Sequence, residues 1–544
     1  MPASEGATTR YRLGPRSTRG LIAGWRTGQV ACVAVSLVAA VGTLRSVGGA
    51  LGGLLALAVA ATGVAVATWP FGGRTIEQWV PTVASFGIRI AAEGRHRPWR
   101  SPDRPRGPIT RLSLFALPDP VTRGTTADGH RTGRAATRAI GTRRPVAGAH
   151  AAGRVGPPAG GRAGAPADVA ERVTFAGAGH AATTGGAERV AGRGAERAGG
   201  GSLVAPGGIG VIGDAEASTW SAALPVGGTG FGLLGEAERC DRIAAWSGAL
   251  AAMARDGAGL QRLQWLSTTY PAWLDGPLAG GGAGTAGEHY SRLLEEAAPD
   301  LWSHEVYVVV TVRHPGVARG GTETAVTRLR EQLAALDERL RGAGLAPGPP
   351  LSPLGLACCV RRSFEVAPLA GVAVWPWPVG VDNGWSRLRV DATWHATYWI
   401  AEWPRTEVSG GFLLPLLLVP GLRRVVSVTM APLPALTAVR RAERERTEGT
   451  ADADLRHRHG FAVTARNRRE QEGRQQREAE LADGHAGYRY SGYVTVTELD
   501  EEALERACGR LEQAATLAQL ELRRLYGAQE EGYCCTLPAG RGCR

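Results

Sequence analysis

The sequence predicts an α+β protein, with an N-terminal transmembrane α-hairpin followed by a mixed α/β cytoplasmic domain of two sheet-and-helix units. Three observations predict it. Two uncharged apolar runs, 28–44 and 47–69, lie side by side near the start. Beyond residue 202, short strand-like runs alternate with amphipathic helical stretches. Between these parts, 121–201 is Ala, Gly, Arg, Thr and Pro, with almost no aromatic or long aliphatic residue.

The hairpin comes first. Crossing the hydrocarbon core takes roughly 17 to 25 apolar residues, and each run qualifies. The link is Arg45 and Ser46 plus the glycines that follow, so the two helices are antiparallel neighbours, and Gly48, Gly49, Gly52 and Gly53 permit close backbone approach. Arg10, Arg12, Arg16, Arg19 and Arg26 precede the first run, and Arg74, Arg89, Arg95, Arg97 and Arg100 follow the second. By the positive-inside rule both termini face the cytoplasm, with Trp25 and Trp69 at interfacial positions. The expectation is a multi-pass protein of the cell membrane whose first partner is the lipid bilayer. A cleaved signal peptide fits less well, because a second run follows with no convincing stop after the first.

Residues 1–27 then form a basic cytoplasmic N-terminus, and 70–100 a juxtamembrane amphipathic helix. In the latter Ile76, Trp79, Val80, Val83, Phe86, Ile88 and Ile90 recur at helical spacing. Two readings fit: a helix lying on the inner leaflet, and one packed on the soluble domain. Residues 101–120 start the soluble domain, with an apolar run at 112–117. The stretch 121–201 cannot bury enough apolar surface to offset the entropy of ordering, so it reads as a disordered low-complexity insertion.

The first α+β unit covers 202–345, with strands at 208–213, 218–226, 260–266 and 306–312 and helices at 236–255 and 323–341. The second covers 346–544. Its strands are 387–391, 395–400, 424–430, 488–497 and 520–525, with a helix at 501–519. Residues 438–483 mix Arg and Glu as a long solvated helix pair does.

Composition excludes some chemistry. All 62 basic residues are arginine, so no Walker A lysine and no Schiff-base lysine exists. The net charge of +12 is unevenly placed: 1–106 carry 13 Arg against 4 acids, whereas 201–544 carry 36 Arg against 40 acids. A near-neutral main body argues against specific nucleic-acid binding. None of the eight cysteines forms a CxxC pair, although the vicinal pairs Cys358–Cys359 and Cys534–Cys535 fit either redox-active or plain buried thiols.

Gly230, Gly232 and Gly235 match GxGxxG, but the preceding strand belongs to a meander rather than to the start of a βαβ unit. His457, His459 and His485 lack thiolate or carboxylate neighbours at metal-ligand spacing. Asp391 and His395 lie close in sequence without an identifiable nucleophile. Trp375, Trp377, Trp385, Trp394, Trp399 and Trp403 crowd one region, for packing or for stacking on single-stranded nucleic acid. No residue is nominated as catalytic, cofactor-binding or metal-ligating, and no cofactor is expected.

Four stretches, 263–266 (LQWL), 398–405 (YWIAEWPR), 484–496 (GHAGYRYSGYVTV) and 522–538 (LRRLYGAQEEGYCCTLP), carry a resemblance. In this order, behind the hairpin, they resemble an actinobacterial family of integral membrane proteins of conjugation-like, type IV secretion related loci. The resemblance covers nearly the whole chain apart from 121–201. That family is similar to a PrgI-like two-helix hairpin continued into the N-terminal, non-ATPase part of VirB-type motors. It implies a structural membrane subunit, not an enzyme, on which a separate VirB-type ATPase and other transfer-apparatus subunits dock, with a homo-oligomer as a further expected state. The alternatives are an EccE-like membrane component of type VII secretion and a membrane-tethered enzyme using Asp391, His395 or His485.

Overall fold

The computed structural model describes residues 27–68, 75–98, 109–117, 171–172, 208–228, 230–255, 259–275, 284–314, 321–369, 376–404, 406, 408–458, 465–482 and 486–542. Residues 1–26, nearly all of 121–201, and Trp25, Trp69, Trp375, His459 and His485 lie outside them.

Helices α1 (Thr27–Val47) and α2 (Gly49–Thr68), of 21 and 20 residues, are long and apolar enough to cross a membrane. They pack against each other, and Val38 and Leu54 on their outer sides are 73% and 68% exposed. The turn falls in the glycine part of the expected link. Arg45 and Ser46 continue α1, and the reversal falls at Gly48 and Gly49, both at positive φ (59° and 67°). Only glycine takes that conformation at little cost, so the chain turns where two glycines adjoin and not at the polar pair. A side chain at Gly63 would collide with Ser36, which marks how closely the helices approach.

Helix α3 (Ile76–Glu93) and strand β1 (His96–Pro98) lead to the body. Its first half contains β2 (Leu112–Leu117), β3 (Glu171–Arg172), β4 (Ile209–Asp214), β5 (Thr219–Gly227), α4 (Glu236–Arg255), β6 (Leu260–Pro271), α5 (Thr285–Ala297), β7 (Trp302–Arg313), α6 (Gly321–Gly342), β8 (Ala346–Pro347) and α7 (Pro353–Arg361). The second contains β9 (Gly380–Asn383), β10 (Leu388–Val390), β11 (Thr393–Glu402), α8 (Leu414–Leu417), β12 (Arg424–Pro432), α9 (Ala435–Arg458), α10 (Ala465–Ala482), β13 (Tyr488–Glu498), α11 (Glu501–Leu517), β14 (Glu521–Arg524) and α12 (Gln529–Cys534). The strands and helices expected from periodicity thus recur, usually within a few residues.

All the described strands join one antiparallel sheet, ordered β1-β9-β10-β11-β13-β12-β6-β7-β5-β4-β2-β3, with β14 beside β11 and β8 beside β5. This order reads as two copies meeting at the β12–β6 pair. In each half a β-α-β-β-α-β core (β5-α4-β6-β7-α6-β8 and β11-α8-β12-β13-α11-β14) takes the spatial order fourth-first-third-second, which is the ferredoxin-like split βαβ arrangement. The body is therefore an internal duplication with a pseudo-two-fold relation across β6 and β12. The halves differ in their insertions: α5 stands between β6 and β7, whereas α9 and α10 stand between β12 and β13. Helix α7, placed by the sequence-based division at 346 in the second unit, belongs with the first half and packs on β2 and β4.

Strand register settles the layers, because partners across an antiparallel pair share a face. Leu263 faces Met430 and Ser267 faces Val426. On this side α4 and α6 cover the first half through Met253, Leu329 and Leu336, and α8 and α11 cover the second through Leu416, Leu504 and Leu511. Each such buried Leu stabilises the fold by about 2 kcal/mol. On the opposite side lie α7, α12 and the final segment 535–542, packed on Ile212, Val309, Leu388 and Val390.

Candidate functional site

Two features set this molecule apart from a plain duplicated sheet: the junction of the apolar hairpin with the body, and a polar seam on the sheet's second side.

At the junction α3 packs against both α1 and α2 and also against the second half of the body. Trp79, Thr82, Phe86 and Arg89 recur at helical spacing on one face. The Trp79 ring lies 5.8 Å from Trp385 and 5.6 Å from Tyr526, and Phe86 meets Trp385 edge-on at 5.2 Å. Gly527, at φ 69°, fits beneath Trp385, and a Cβ there would also stand 3.2 Å from Thr82. Arg89 closes the contact by donating to the Gly527 carbonyl and pairing with Glu531. Further on, β1 adds to the β9 edge and Arg95 pairs with Asp382 at 3.2 Å. Of the two readings of α3, packing on the body accounts for this face.

The polar seam runs beneath segment 535–542, where both halves supply side chains. Gln264 of β6 donates to the carbonyls of Cys535 and Leu537 (3.0 Å each) and accepts from Gly540 N–H at 3.0 Å. Thr429 of β12 donates to the Arg541 carbonyl at 2.7 Å, and Thr495 of β13 meets Thr536 at 3.0 Å. Arg541 binds Asp214 through two hydrogen bonds, 2.6 and 2.8 Å, with both side chains buried. The final segment is thus a strap fixed by its backbone to the seam where the halves meet. The pattern is legible only from topology, because Gln264, Thr429 and Asp214 are scattered through the chain.

His395 belongs to the same side. It is fully buried, with Nδ1 2.9 Å from the Thr497 hydroxyl, Nε2 2.9 Å from Thr393 and the Tyr533 ring 4.8 Å away. Thr393 also lies 2.9 Å from the Val390 carbonyl and Thr497 3.4 Å from the Ser363 carbonyl, so both hydroxyls join the imidazole to the main chain. Burial, reinforced by Arg423, holds the imidazole well below its usual 6.5. The unfolded chain therefore binds a proton that the folded one refuses. Full stability from this group is expected above about pH 6.5, falling as pH drops below it, with a slope approaching about 1.4 kcal/mol per pH unit. Comparing His395→Gln with the parent by urea unfolding between pH 7 and 5 checks this: the parent should lose stability more steeply, and parallel curves would refute it.

Asp391, at φ 49°, is a turn residue whose carboxylate accepts from the Val379 and Gly380 N–H groups, both at 2.8 Å. Burial pushes its carboxyl up, opposed by those two donors. A cluster that the sequence did not signal gathers around Arg362, which pairs with Asp275 (2.6 Å) and Glu305 (3.0 Å) and stacks over Tyr270. Tyr270 donates to Asp275 and Tyr307 to Glu305, so the cation is matched by two carboxylates. Beside it, burial pushes the Cys359 thiol up to about 12 and raises Cys358, which keeps both in the poorly nucleophilic thiol form.

Arg423 and Arg424 donate to main-chain carbonyls on opposite sides of the sheet, Arg423 to Arg362 and Glu365, and Arg424 to Val419 and Leu422. Burial lowers each to about 10. No protein-family model and no curated protein matches the chain.

The described tryptophans do not form one platform. Trp377 is in the core, Trp385 meets α3, Trp394 lies under Arg387 and Arg389, and Trp403 packs on Tyr490. Gly230 begins a short helical turn before α4, and β5 ahead of it pairs antiparallel with β7. Among the described residues no three His, Cys, Asp or Glu side chains converge as a metal site requires. The surface has open depressions lined by Trp403, Thr406 and Gln519 and by Glu498, Arg506 and Arg510.

Proposed function

We propose that the chain is a structural membrane subunit: α1 and α2 span the cell membrane, both termini are cytoplasmic, and the duplicated body forms a platform for other proteins. The observation that carries this reading is the direct coupling of an apolar hairpin, through α3, to a body whose notable buried polar groups are engaged in holding the fold together. The arginine bias around the hairpin supports the orientation. The apparatus served is a conjugation or type IV secretion-like machine in which a separate VirB-type ATPase docks on the platform, as the motif resemblance implies.

Affinity purification of the full-length chain from detergent-solubilised native membranes tests the role. The expected co-purifying proteins are a VirB-type ATPase and other transfer components. Recovery of FtsK-like ATPases with small WxG proteins would assign it to type VII secretion, and recovery of neither set would remove the platform reading.

A further inference from the structure

The face of α3 turned away from the body differs from the outside of an ordinary amphipathic helix. Trp79, Thr82, Phe86 and Arg89 occupy the inner arc. Between Val80 and Ala92, after the first turn that holds Glu77, the remaining arc carries Val80, Pro81, Val83, Ala84, Gly87, Ile88, Ala91 and Ala92, all exposed, with Ser85 as the polar residue at its margin. Val80, Val83 and Ile88 are 60%, 52% and 68% exposed. Polar residues belong on the outward side of a helix that merely covers a soluble domain, and a helix apolar all round is one whose outer face is also covered.

The covering partner follows from continuity. Helix α3 is separated from the end of α2 by seven residues and packs against both hairpin helices, whose own outer faces are apolar and exposed. Whatever surrounds the end of the hairpin is therefore next to α3. Pro81 and the Arg89–Glu531 pair set α3 apart from a third spanning helix. We infer that α3 is a two-faced girdle: its aromatic face grips the body while Val80, Val83 and Ile88 lie in the interfacial layer of the lipid bilayer, fixing the platform against the membrane surface. The two readings of this helix thus describe opposite faces of one element. An apolar helix face buried at the headgroup boundary gains binding in proportion to the area removed from water.

This inference rests on the hairpin's spanning the membrane, and the test separates the two. The full-length protein is reconstituted in nanodiscs of phosphatidylcholine and phosphatidylglycerol, with the photo-crosslinker p-benzoylphenylalanine at position 83 or 88, one site at a time. Position 54 in α2 is the hairpin control. Leu293 of α5, 62% exposed in the other half of the body, is the solvent control. The expected result is a mass increase of one lipid at 83, 88 and 54 and none at 293. Lipid adducts at 54 without any at 83 and 88 would overturn the girdle and leave the anchor standing. Cross-links from 83 or 88 to a second copy would make this face a subunit interface and equally overturn the girdle. Absence of lipid adducts at 54 as well would remove the spanning hairpin and the girdle with it.

Discussion

Asp214→Ala is expected to destabilise the body by about 3–5 kcal/mol, the cost of leaving one member of a buried ion pair uncompensated. Arg541 lies under the sheet with 9% of its side chain exposed, and Asp214 with 1%. After the substitution Arg541 keeps Glu216 at 3.3 Å, a partner that is itself one-third exposed. Asp214 also accepts from the Glu216 and Ala217 N–H groups, so the β4–β5 turn loses a cap as well. Replacing both members, Asp214→Leu with Arg541→Met, should recover most of the loss, because the stranded charge is then gone; about 1 kcal/mol should persist from the turn. Urea midpoints of the detergent-solubilised protein measure both. A change below about 1 kcal/mol in Asp214→Ala would show that the strap contributes little to the fold.

Gly540→Val should be about as damaging, for a different reason. Gly540 sits at φ 61°, where a β-branched residue is strained, and a Cβ would lie 1.9 Å from the Thr311 hydroxyl. Left-handed backbone costs a non-glycine residue about 1–3 kcal/mol and overpacking costs a similar amount, which places the sum near 3–5 kcal/mol. The backbone cannot move away freely: its N–H is held by Gln264 at 3.0 Å and its carbonyl by Arg262 at 3.1 Å. Gly228→Val is the control, since nothing lies within 4 Å of a Cβ there, and its effect should stay within about 0.5 kcal/mol. Equal midpoints for the two variants would contradict the close packing of the strap.

Much of the secondary structure was legible, because strands such as β7 and β13 carry unbroken β-branched and aromatic runs and helices such as α6 and α11 carry apolar stripes that end at recognisable caps. The duplication was not. Thr219, Trp220 and Ala222 of β5 recur as Thr393, Trp394 and Ala396 of β11, and the vicinal cysteines of α7 recur in α12 and the residue after it. The cross-strand pair Ser221–Thr311 likewise corresponds to His395–Thr497. These traces are short, and unequal insertions destroy the spacing: α4 has 20 residues where α8 has four, and α9 and α10 stand where α5 does.

The candidate sites were legible to different degrees. The hairpin was visible because a continuous apolar run is a local signal, and within its expected link only the positive φ of Gly48 and Gly49 shows which residues make the reversal. The seam under the strap was invisible, since Gln264, Thr429, Asp214 and Arg541 are brought together only by strand order. For α3, spacing alone gave an amphipathic helix; it could not show that Trp79 and Phe86 meet Trp385 and Tyr526 of the second half.

The central claim, a membrane-spanning hairpin with its body in the cytoplasm, is tested most directly by protease treatment of inside-out membrane vesicles carrying the full-length chain. The expected result is loss of the body without detergent, at the rate seen after detergent is added, while a fragment containing α1 and α2 survives until the membrane is dissolved. A body that stays intact until detergent is added would reverse the topology, and release of α1 and α2 before detergent would show that they do not span.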